Sequence, residues 1–192
     1  PSNASAFRTP FGDRVYDAIE RGLAWVRTQI ANDQYNGITT ALGAIALLER
    51  RTSRDWNAPT RGYRNSTRAD QNRLQRMARG VITNDVALRG ADGAHASRTG
   101  TNIAFLSLYR STGGPNNVGA AVNVDTAIDN GVTALLMIQA NPESGECVRG
   151  SWNYTQPGQN GDTSTTQLVA LGLSAAESHI EDATETLNTT LQ

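Results

Sequence analysis

The sequence repeats one pattern three times, as Thr40-Ala-Leu-Gly-Ala-Ile-Ala-Leu-Leu48, Thr101-Asn-Ile-Ala-Phe-Leu-Ser-Leu-Tyr109 and Thr166-Gln-Leu-Val-Ala-Leu-Gly-Leu-Ser174. Each segment starts at a threonine and is apolar at almost every later position. A helix that is apolar around most of its circumference is covered on most sides. We therefore predict three buried inner helices, at Thr39–Arg50, Thr101–Arg110 and Thr165–Ser178. Their small residues predict close packing between neighbouring inner helices (Gly43, Ala44, Ala46, Ala104, Ser107, Gly172).

Segments of a second kind lie between these runs, and their apolar residues recur on one face only. They share a glycine anchor, at Gly22, Gly80 and Gly131. The first follows the three- and four-residue spacing of a helix with one buried stripe, formed by Val15, Ala18, Ile19, Gly22, Val26 and Ile30. The pattern leaves charged residues such as Asp17, Glu20, Arg21, Arg27 and Asp129 for water. We therefore predict three outer helices, at Val15–Ile30, Gln71–Asn84 and Val124–Gln139.

Each outer helix is followed by an inner one, so the chain predicts three helical hairpins, at about residues 13–52, 69–112 and 122–179. One hairpin cannot bury its apolar face alone, so the hairpins must stack into a solenoid or close into a ring. Residues 180–192 are expected to begin a further helix, with Ala183, Leu187 and Leu191 at four-residue spacing. The predicted fold is all-α, a single repeat domain over residues 1–192 that belongs to a longer chain or an assembly.

The third hairpin contains a motif that joins its two helices, Gly150-Ser151-Trp152-Asn153-Tyr154, a polar loop, and Gly161-Asp162-Thr163-Ser164-Thr165-Thr166-Gln167. Ser164 and Gln167 have the spacing of a capping box, in which the hydroxyl accepts from one backbone amide and the Gln side chain returns to another. Asp162 places negative charge near the positive end of the helix dipole. We predict that Ser164, or an adjacent hydroxyl residue such as Thr163, caps this helix, and that Trp152 and Tyr154 lie over its start.

This motif resembles the repeat of the superfamily that contains squalene–hopene cyclases and the β subunits of protein prenyltransferases. In that repeat a Gly-x-Trp segment, an Asp-Thr-Ser cap and an Ala/Leu-rich inner helix recur around an (α/α) toroid. The third hairpin matches fully over Gly150–Leu173, and the second matches weakly from Asp92-Gly93-Ala94-His95. In the first hairpin only the two helices match. The resemblance implies an α/α-toroid-like stack, and three hairpins imply an incomplete barrel.

The catalytic signatures of that superfamily do not occur here. Its protonating cyclases share an Asp-x-Asp-Asp motif, and no such segment exists in this chain. Its prenyltransferases bind zinc with an Asp two residues before a Cys, where this chain has Gly145 before Cys147. We therefore expect a module that binds or scaffolds proteins or ligands. The alternative is a fragment of a terpenoid-cyclase-like or prenyltransferase-like enzyme whose catalytic residues lie elsewhere.

The amino-acid composition excludes further classes of partner and of structure. The 17 basic residues, all arginine, nearly cancel 18 acidic ones for a formal net charge of −1, which argues against nucleic acid or a polybasic membrane surface as partner. No apolar stretch reaches the roughly 18–20 residues of a membrane span. Cys147 is the only cysteine, so the chain forms no internal disulfide. The compartment stays open, with a bacterial extracytoplasmic location favoured over a cytoplasmic one.

The residue pattern does not favour a metal site or a catalytic nucleophile. The two histidines, His95 and His179, together with Cys147, Asp92 and Asp162 lack the tight paired spacings of a zinc site. No Gly-x-Ser-x-Gly elbow supports a serine hydrolase. Cys147, near Arg149, is an incidental thiol or a nucleophile, and the first reading is favoured. We expect no metal, no cofactor and no catalytic residue.

Aromatic and basic residues on the long loops are the best candidates for a recognition surface, because function concentrates on loops held by a rigid scaffold. The candidates are Trp56, Tyr63, Arg61, Arg64, Trp152 and Tyr154. Trp152 is expected to fold down as a loop plug. For Trp56 and Tyr63, which lie among Arg54, Arg61, Arg64 and Arg68, contact with an anionic or protein partner and self-packing remain equal alternatives.

The last segment offers a further surface. Ala183, Leu187 and Leu191 have no inner helix of their own to cover them, and a contiguous apolar patch marks an interface. We expect Ile180–Gln192 to contact a partner chain, a symmetry mate or a continuation of the polypeptide.

Overall fold

A computed structural model describes residues 9–29, 35, 37–55, 57–140, 149–155 and 161–177 of the chain. Within these ranges the only strand-like feature is an isolated bridge between Arg51 and Thr60. All other regular structure there is helical: α1 (Pro10–Gln29), α2 (Ile38–Leu48), α3 (Arg68–Asn84), α4 (Ala96–Ser111), α5 (Val124–Met137) and α6 (Thr163–Ala175), with a 3₁₀ turn at Ala87–Arg89. The predicted all-α class is therefore confirmed for the described residues.

The six helices predicted within the described residues are all present, but two of them begin five residues earlier than the apolar patterns indicated. The further helix predicted over 180–192 lies outside the described residues. Helix α1 begins at Pro10, where the fixed φ of proline suits the first helical position. Helix α4 begins at Ala96, five residues before the threonine that opens its apolar run. The Thr101 hydroxyl lies inside the helix and donates to the carbonyl oxygen of Ser97 at 2.7 Å. The threonine therefore follows the helix start and does not cap it.

Helix α4 lies at the centre of the molecule. It packs against α2, α3, α5 and α6, and its most extensive contact is with α6. Between Ala96 and Ser107 only Arg98 is not buried. The all-round apolar pattern of this segment is thus explained by neighbours on every side. The described helices form a stack around α4, and a closed ring is not seen in this part of the chain.

The prediction that inner helices are more buried than outer ones holds for two hairpins of three. Only Leu23 is buried in α1, whereas five residues are buried in α2, and α4 is more buried than α3. The prediction is wrong for α6, in which three residues are buried against six in α5. One face of α6 packs on α4, while Leu171 on another face is 48% exposed and no described element covers it.

The contact between α4 and α6 is a backbone-to-backbone approach at two glycines. A Cβ atom on Gly100 would lie 2.7 Å from the carbonyl oxygen of Leu168 and 2.8 Å from Cα of Val169. A Cβ on Gly172 would overlap the carbonyl oxygen of Gly100 and lie 2.9 Å from its Cα. Only glycine permits this distance between the two helices. Close packing at Gly172 was predicted from the sequence and is confirmed.

Helix α1 turns a different face to the molecule than its apolar stripe predicted. Ile19 is 44% exposed, Gly22 is also exposed, and Leu23 is the residue that is buried. Glu20 and Arg27 were expected to face water, but they lie on the same face as Leu23. Glu20 forms an ion pair with Arg50, directly after α2, and Arg27 forms one with Asp70 of α3. The two faces differ by one residue, or about 100° around the helix. The predicted buried stripe of α1 is therefore wrong at Ala18, Ile19 and Gly22, whereas its member Val26 does pack against the core.

Bidentate ion pairs hold α1 in this orientation. Arg50, directly after α2, donates from Nε and Nη2 to the two carboxylate oxygens of Glu20, both at 2.6 Å. Arg27 donates from Nη2 to Oδ2 of Asp70 at 2.9 Å, and Arg73 donates from Nη1 to Oδ1 at 2.6 Å. Such forked contacts are both strong and specific in geometry. They fix a helix that has only one buried apolar residue.

Asp70 has two guanidinium partners although it is almost fully buried. Burial alone would raise the pKa of its carboxyl, but the hydrogen bonds and charges of Arg27 and Arg73 outweigh that effect and hold the pKa below its usual value. The folded state thus favours the ionised carboxylate. Ionised Asp70 links α1 to α3.

The cap of α6 differs from the predicted one. The N-cap residue is Asp162, whose Oδ1 accepts from the backbone amide of Thr165 at 2.6 Å and from the Ser164 hydroxyl at 2.7 Å. The hydrogen bonds from Ser164 and Thr165 lower the pKa of Asp162. Ser164 is therefore not the cap, and Gln167 makes no cap hydrogen bond. A carboxylate takes this role because it accepts two hydrogen bonds and also suits the helix dipole.

No helix within the described ranges combines the length and the apolar character that crossing a membrane requires.

Replacing Gly172 with Ala is expected to lower the free energy of unfolding by about 1–3 kcal/mol, because a methyl group there meets backbone that cannot move aside. Gly22→Ala is the matched control, since nothing lies within 4 Å of its Cβ position. That change is expected to raise the free energy of unfolding by about 0.5–1 kcal/mol. Urea unfolding of both variants measures the two effects, and equal shifts would contradict the close approach at Gly172.

Replacing Asp70 with Asn is expected to cost about 3 kcal/mol at neutral pH, because Arg27 and Arg73 lose their carboxylate. The pKa of Asp70 is lower in the folded state, so its stabilisation is complete above the unfolded value of about 4 and is lost as the pH falls through the folded pKa. The difference between wild type and variant should therefore shrink in acid. Unfolding at several pH values tests this, with exposed Asp92→Asn as control. A pH-independent difference would contradict the assignment.

Candidate binding cleft

The loop between α2 and α3 doubles back on itself. The backbone amide of Thr52 donates to the carbonyl of Pro59 at 3.0 Å, next to the bridge between Arg51 and Thr60. The amide of Gly62 then donates to the carbonyl of Leu48 at 3.0 Å, at the last residue of α2. The chain thus returns to the end of the helix that it left, and this path places residues 60–65 beside the C-terminal end of α4.

Thr112, directly after α4, fastens this loop. Its hydroxyl oxygen accepts from the backbone amide of Tyr63 at 2.9 Å, and its carbonyl accepts from the amide of Arg64 at 3.1 Å. Gly62 has a φ of 59°, and a Cβ there would lie 2.6 Å from Cβ of Thr112. Glycine is therefore required at position 62. The loop is held by hydrogen bonds at defined positions.

Tyr63 anchors the same loop to the core. Its ring meets the edge of the Tyr109 ring, with the centroids 5.0 Å apart and the planes at 75°. Tyr109 is fully buried, and burial raises the pKa of its phenol. Of the two alternatives for Tyr63, recognition or self-packing, the structure shows self-packing. The aromatic side chain supports the basic residues on either side of it.

A cleft of about 240 Å³ opens between this loop and the end of α4. No carboxylate lines it, and its lining carries two guanidinium groups together with hydroxyl and amide groups (Thr60, Arg61, Gly62, Arg64, Asn65, Ser111, Thr112). Nε of Arg61 is buried and has no hydrogen-bond acceptor among the described residues. A buried donor without an acceptor costs about 1–3 kcal/mol. The cleft is thus positively charged and has spare hydrogen-bond donors.

The three arginines at the start of this loop differ from Arg61 and Arg64. Arg50 is paired with Glu20, Arg54 donates to Asp17 at 2.9 Å, and Arg51 donates to the carbonyl of Ala58 at 2.6 Å. Within the described ranges neither Arg61 nor Arg64 forms an ion pair. The guanidinium of Arg64 lies over Gly113, where a Cβ would be 3.1 Å from its Nε. The two cleft arginines are therefore available to an anion.

The aromatic residues predicted as one recognition cluster do not come together. Trp152 is 6% exposed, and its indole Nε1 donates to the carbonyl of Leu135 at 2.8 Å. It is the loop plug that the local reading of the motif predicted, and it is not available for binding. Tyr154 is exposed, but its carbonyl accepts from Ala96 at the start of α4, the opposite end from Tyr63. Trp56 lies outside the described residues.

The Gly150–Gln167 motif is structural throughout its described part. Gly150 has a φ of 78°, which favours glycine. The backbone amide of Trp152 donates to the Thr166 hydroxyl at 3.1 Å, and its carbonyl accepts from the Asp162 amide at 2.9 Å. These bonds close the loop onto the start of α6. The motif positions no reactive group.

A histidine, a serine and a tyrosine lie close together near the start of α4. The His95 ring lies 5.6 Å from the Tyr154 ring, and its Nδ1 is 3.2 Å from the Ser97 hydroxyl oxygen, a contact between residues two apart. Among the described residues no three His, Cys, Asp or Glu side chains are close enough to share a metal ion. Cys147 and His179 lie outside these residues.

A buried carboxylate that sequence analysis did not single out lies nearby. Asp85, directly after α3, is fully buried and accepts from Asn102 at 2.9 Å, from Thr99 at 3.1 Å and from the amide of Ala87 at 3.2 Å. Asn102 also donates to the Tyr35 hydroxyl at 3.2 Å. Burial raises the pKa of Tyr35, so its phenol stays neutral. The network joins parts of two hairpins. Its signal in the sequence was an acidic residue directly before an apolar turn.

Comparison of the chain with protein-family models, with curated proteins and with solved structures gives no match. The resemblance to the cyclase and prenyltransferase superfamily therefore stays a prediction.

Replacing Thr112 with Val is expected to loosen the loop, because the side chain no longer accepts from Tyr63 or donates to Leu108. We expect the free energy of unfolding to fall by about 1 kcal/mol and the Tyr63 amide to exchange faster with solvent. Ser111→Ala is the control, since its hydroxyl is exposed and contacts only the Leu108 carbonyl. Unchanged exchange at Tyr63 in Thr112→Val would contradict the role of this hydroxyl.

Proposed function

We propose that the chain is a protein-binding module of stacked helical hairpins, related in arrangement to the α/α toroid, and that the exposed face of α1 is its docking surface. The observation that carries this proposal is a difference between α1 and the two later outer helices at their equivalent glycines.

In the second and third hairpins, the outer-helix glycine faces the preceding hairpin. A Cβ on Gly131 would lie 2.7 Å from Leu88 and 2.9 Å from Ile103, which both belong to the second hairpin. The nearest atom to a Cβ on Gly80 would be Cβ of Tyr35, in the connection of the first hairpin, at 3.9 Å. In these two hairpins, the side of the outer helix that carries the glycine therefore packs against the preceding hairpin.

Helix α1 presents the same face to solvent. Nothing lies within 4 Å of a Cβ on Gly22. Ile19 is 44% exposed, Trp25 is 60% exposed and Phe11 is 69% exposed. They are eight and six residues apart, so they lie within about 120° of arc on one side of the helix and are spread along its length. Large apolar side chains grouped in this way are typical of an interaction surface.

The occupant we assign to this surface is the third hairpin of a second copy. Leu171 of α6 is 48% exposed, whereas Leu106, at the equivalent position of α4, is fully buried. In the described part of the chain α6 therefore offers the apolar face that a following hairpin would cover, and α1 offers the face that a preceding hairpin would cover. Helix α6 contains no charged residue, so it presents no like charge to Arg14 and Arg21 on α1. Contact between these different faces joins copies head to tail.

Sedimentation equilibrium tests this assembly. Wild type is expected to associate as its concentration rises, and Trp25→Glu or Leu171→Glu is expected to remain monomeric, because each places a carboxylate in the apolar contact. Met137→Glu is the matched control, since Met137 is 70% exposed on α5, outside the proposed contact.

Mixing the two disabled variants makes the test specific. Trp25→Glu keeps its α6 face and Leu171→Glu keeps its α1 face, so an equimolar mixture should form a dimer that grows no further. A monomeric wild type would contradict self-association, and a mixture that stays monomeric would contradict the head-to-tail contact.

A further inference from the structure

We propose that the cleft formed by Thr60, Arg61, Gly62, Arg64, Asn65, Ser111 and Thr112 is a binding site for the phosphate group of a phosphate monoester. This site is separate from the docking surface on α1. It is built from the loop between α2 and α3 and from the C-terminal end of α4.

The charge of the cleft matches this group. Two guanidinium groups line it, the lining contains no carboxylate, and within the described residues neither Arg61 nor Arg64 has an ion-pair partner. A phosphate monoester carries about −1.5 to −2 charges at neutral pH, which balances two arginines. A single carboxylate would balance only one of them. Guanidinium groups also match the oxygen geometry of phosphate through paired N–H donors.

The backbone of the site is already held in place. The backbone amides of Tyr63 and Arg64 both donate to Thr112, which orders the segment that carries the two arginines. Nε of Arg61 is buried without an acceptor among the described residues, and the Arg64 guanidinium lies beside Gly113. No ordering of the backbone is therefore needed when an anion enters, and such preorganisation raises affinity.

Size and surroundings define how much of the ligand is held. A volume of about 240 Å³ is smaller than the pockets that enclose whole organic ligands, so the cleft encloses the phosphate and leaves its carrier outside. The neighbouring Arg50 and Arg54 are paired with Glu20 and Asp17, so these two arginines do not extend the positive charge of the cleft into a stripe. A nucleic acid, which presents a row of phosphates, needs such a stripe.

Isothermal titration calorimetry with inorganic phosphate, against chloride at equal ionic strength, tests the site. Saturable binding at one site is expected, and Arg61→Gln or Arg64→Gln should weaken it by about tenfold or more. Arg89→Gln is the matched control, since Arg89 is exposed near the opposite end of α4 and should leave binding unchanged. No saturable binding to wild type, or equal weakening in Arg89→Gln, would overturn the proposal.

Two further arms separate binding from folding and identify the carrier. Arg61→Lys and Arg64→Lys keep the charge but lose the paired donors, so weaker binding with an unchanged melting temperature assigns the effect to contact with the anion. Unchanged affinity in both Lys variants and both Gln variants would overturn the proposal. A phosphoserine peptide and adenosine monophosphate, titrated in the same way, distinguish a protein-borne phosphate from a nucleotide. Binding of either, lost in Arg61→Gln, supports the site.

Discussion

Backbone contact between Gly100 and Gly172 lets α6 lie directly on α4. The other helices are arranged around the buried α4. With α6 on one side and α2, α3 and α5 on the others, α4 loses almost all exposure to water. Burial of apolar surface on this scale is the main favourable term in folding. The close approach has a cost, because each glycine lowers helix propensity relative to alanine.

Ion pairs and hydrogen bonds fix the positions of chain segments that make few apolar contacts. Helix α1 has one buried apolar residue, so its position depends on the ion pairs of Glu20 with Arg50 and of Arg27 with Asp70. Asp85 plays a similar part at the end of α3, where its carboxylate accepts from Thr99 and Asn102 of α4. These contacts are directional, so they fix the orientation of each helix as well as its distance.

The two proposed surfaces are consequences of the same arrangement. The cleft exists because Thr112, at the end of α4, holds the returning loop through Tyr63 and Arg64. The open face of α1 exists because its ion pairs turn Leu23 inward, which leaves Ile19 and Gly22 outside. A helix turned by one residue would bury that stripe and remove the docking surface.

The sequence by itself determined the helices, since apolar periodicity is a local property and the six helices predicted within the described residues are all present. It also indicated the buried α4, the close packing at Gly172 and the role of Trp152 as a loop plug. The candidate site was predicted only in part: the basic loop was recognised, but four of its arginines could not be told apart.

Tertiary structure alone decided which of those arginines are paired. Arg54 pairs with Asp17, which is 37 positions away. The ion pairs that orient α1 also join distant residues, with Glu20 and Arg50 30 positions apart and Arg27 and Asp70 43 apart, so no local pattern relates them. The same separation explains the wrong stripe of α1, because periodicity shows that a helix has an apolar face but not that ion pairs will turn another face inward. The Asp162 cap was missed for a smaller reason: Asp, Thr and Ser adjoin there, and only the backbone geometry selects the first of them. Local apolar patterns therefore fixed the helices. Contacts between distant residues fixed the orientation of those helices and left Arg61 and Arg64 without an ion-pair partner among the described residues.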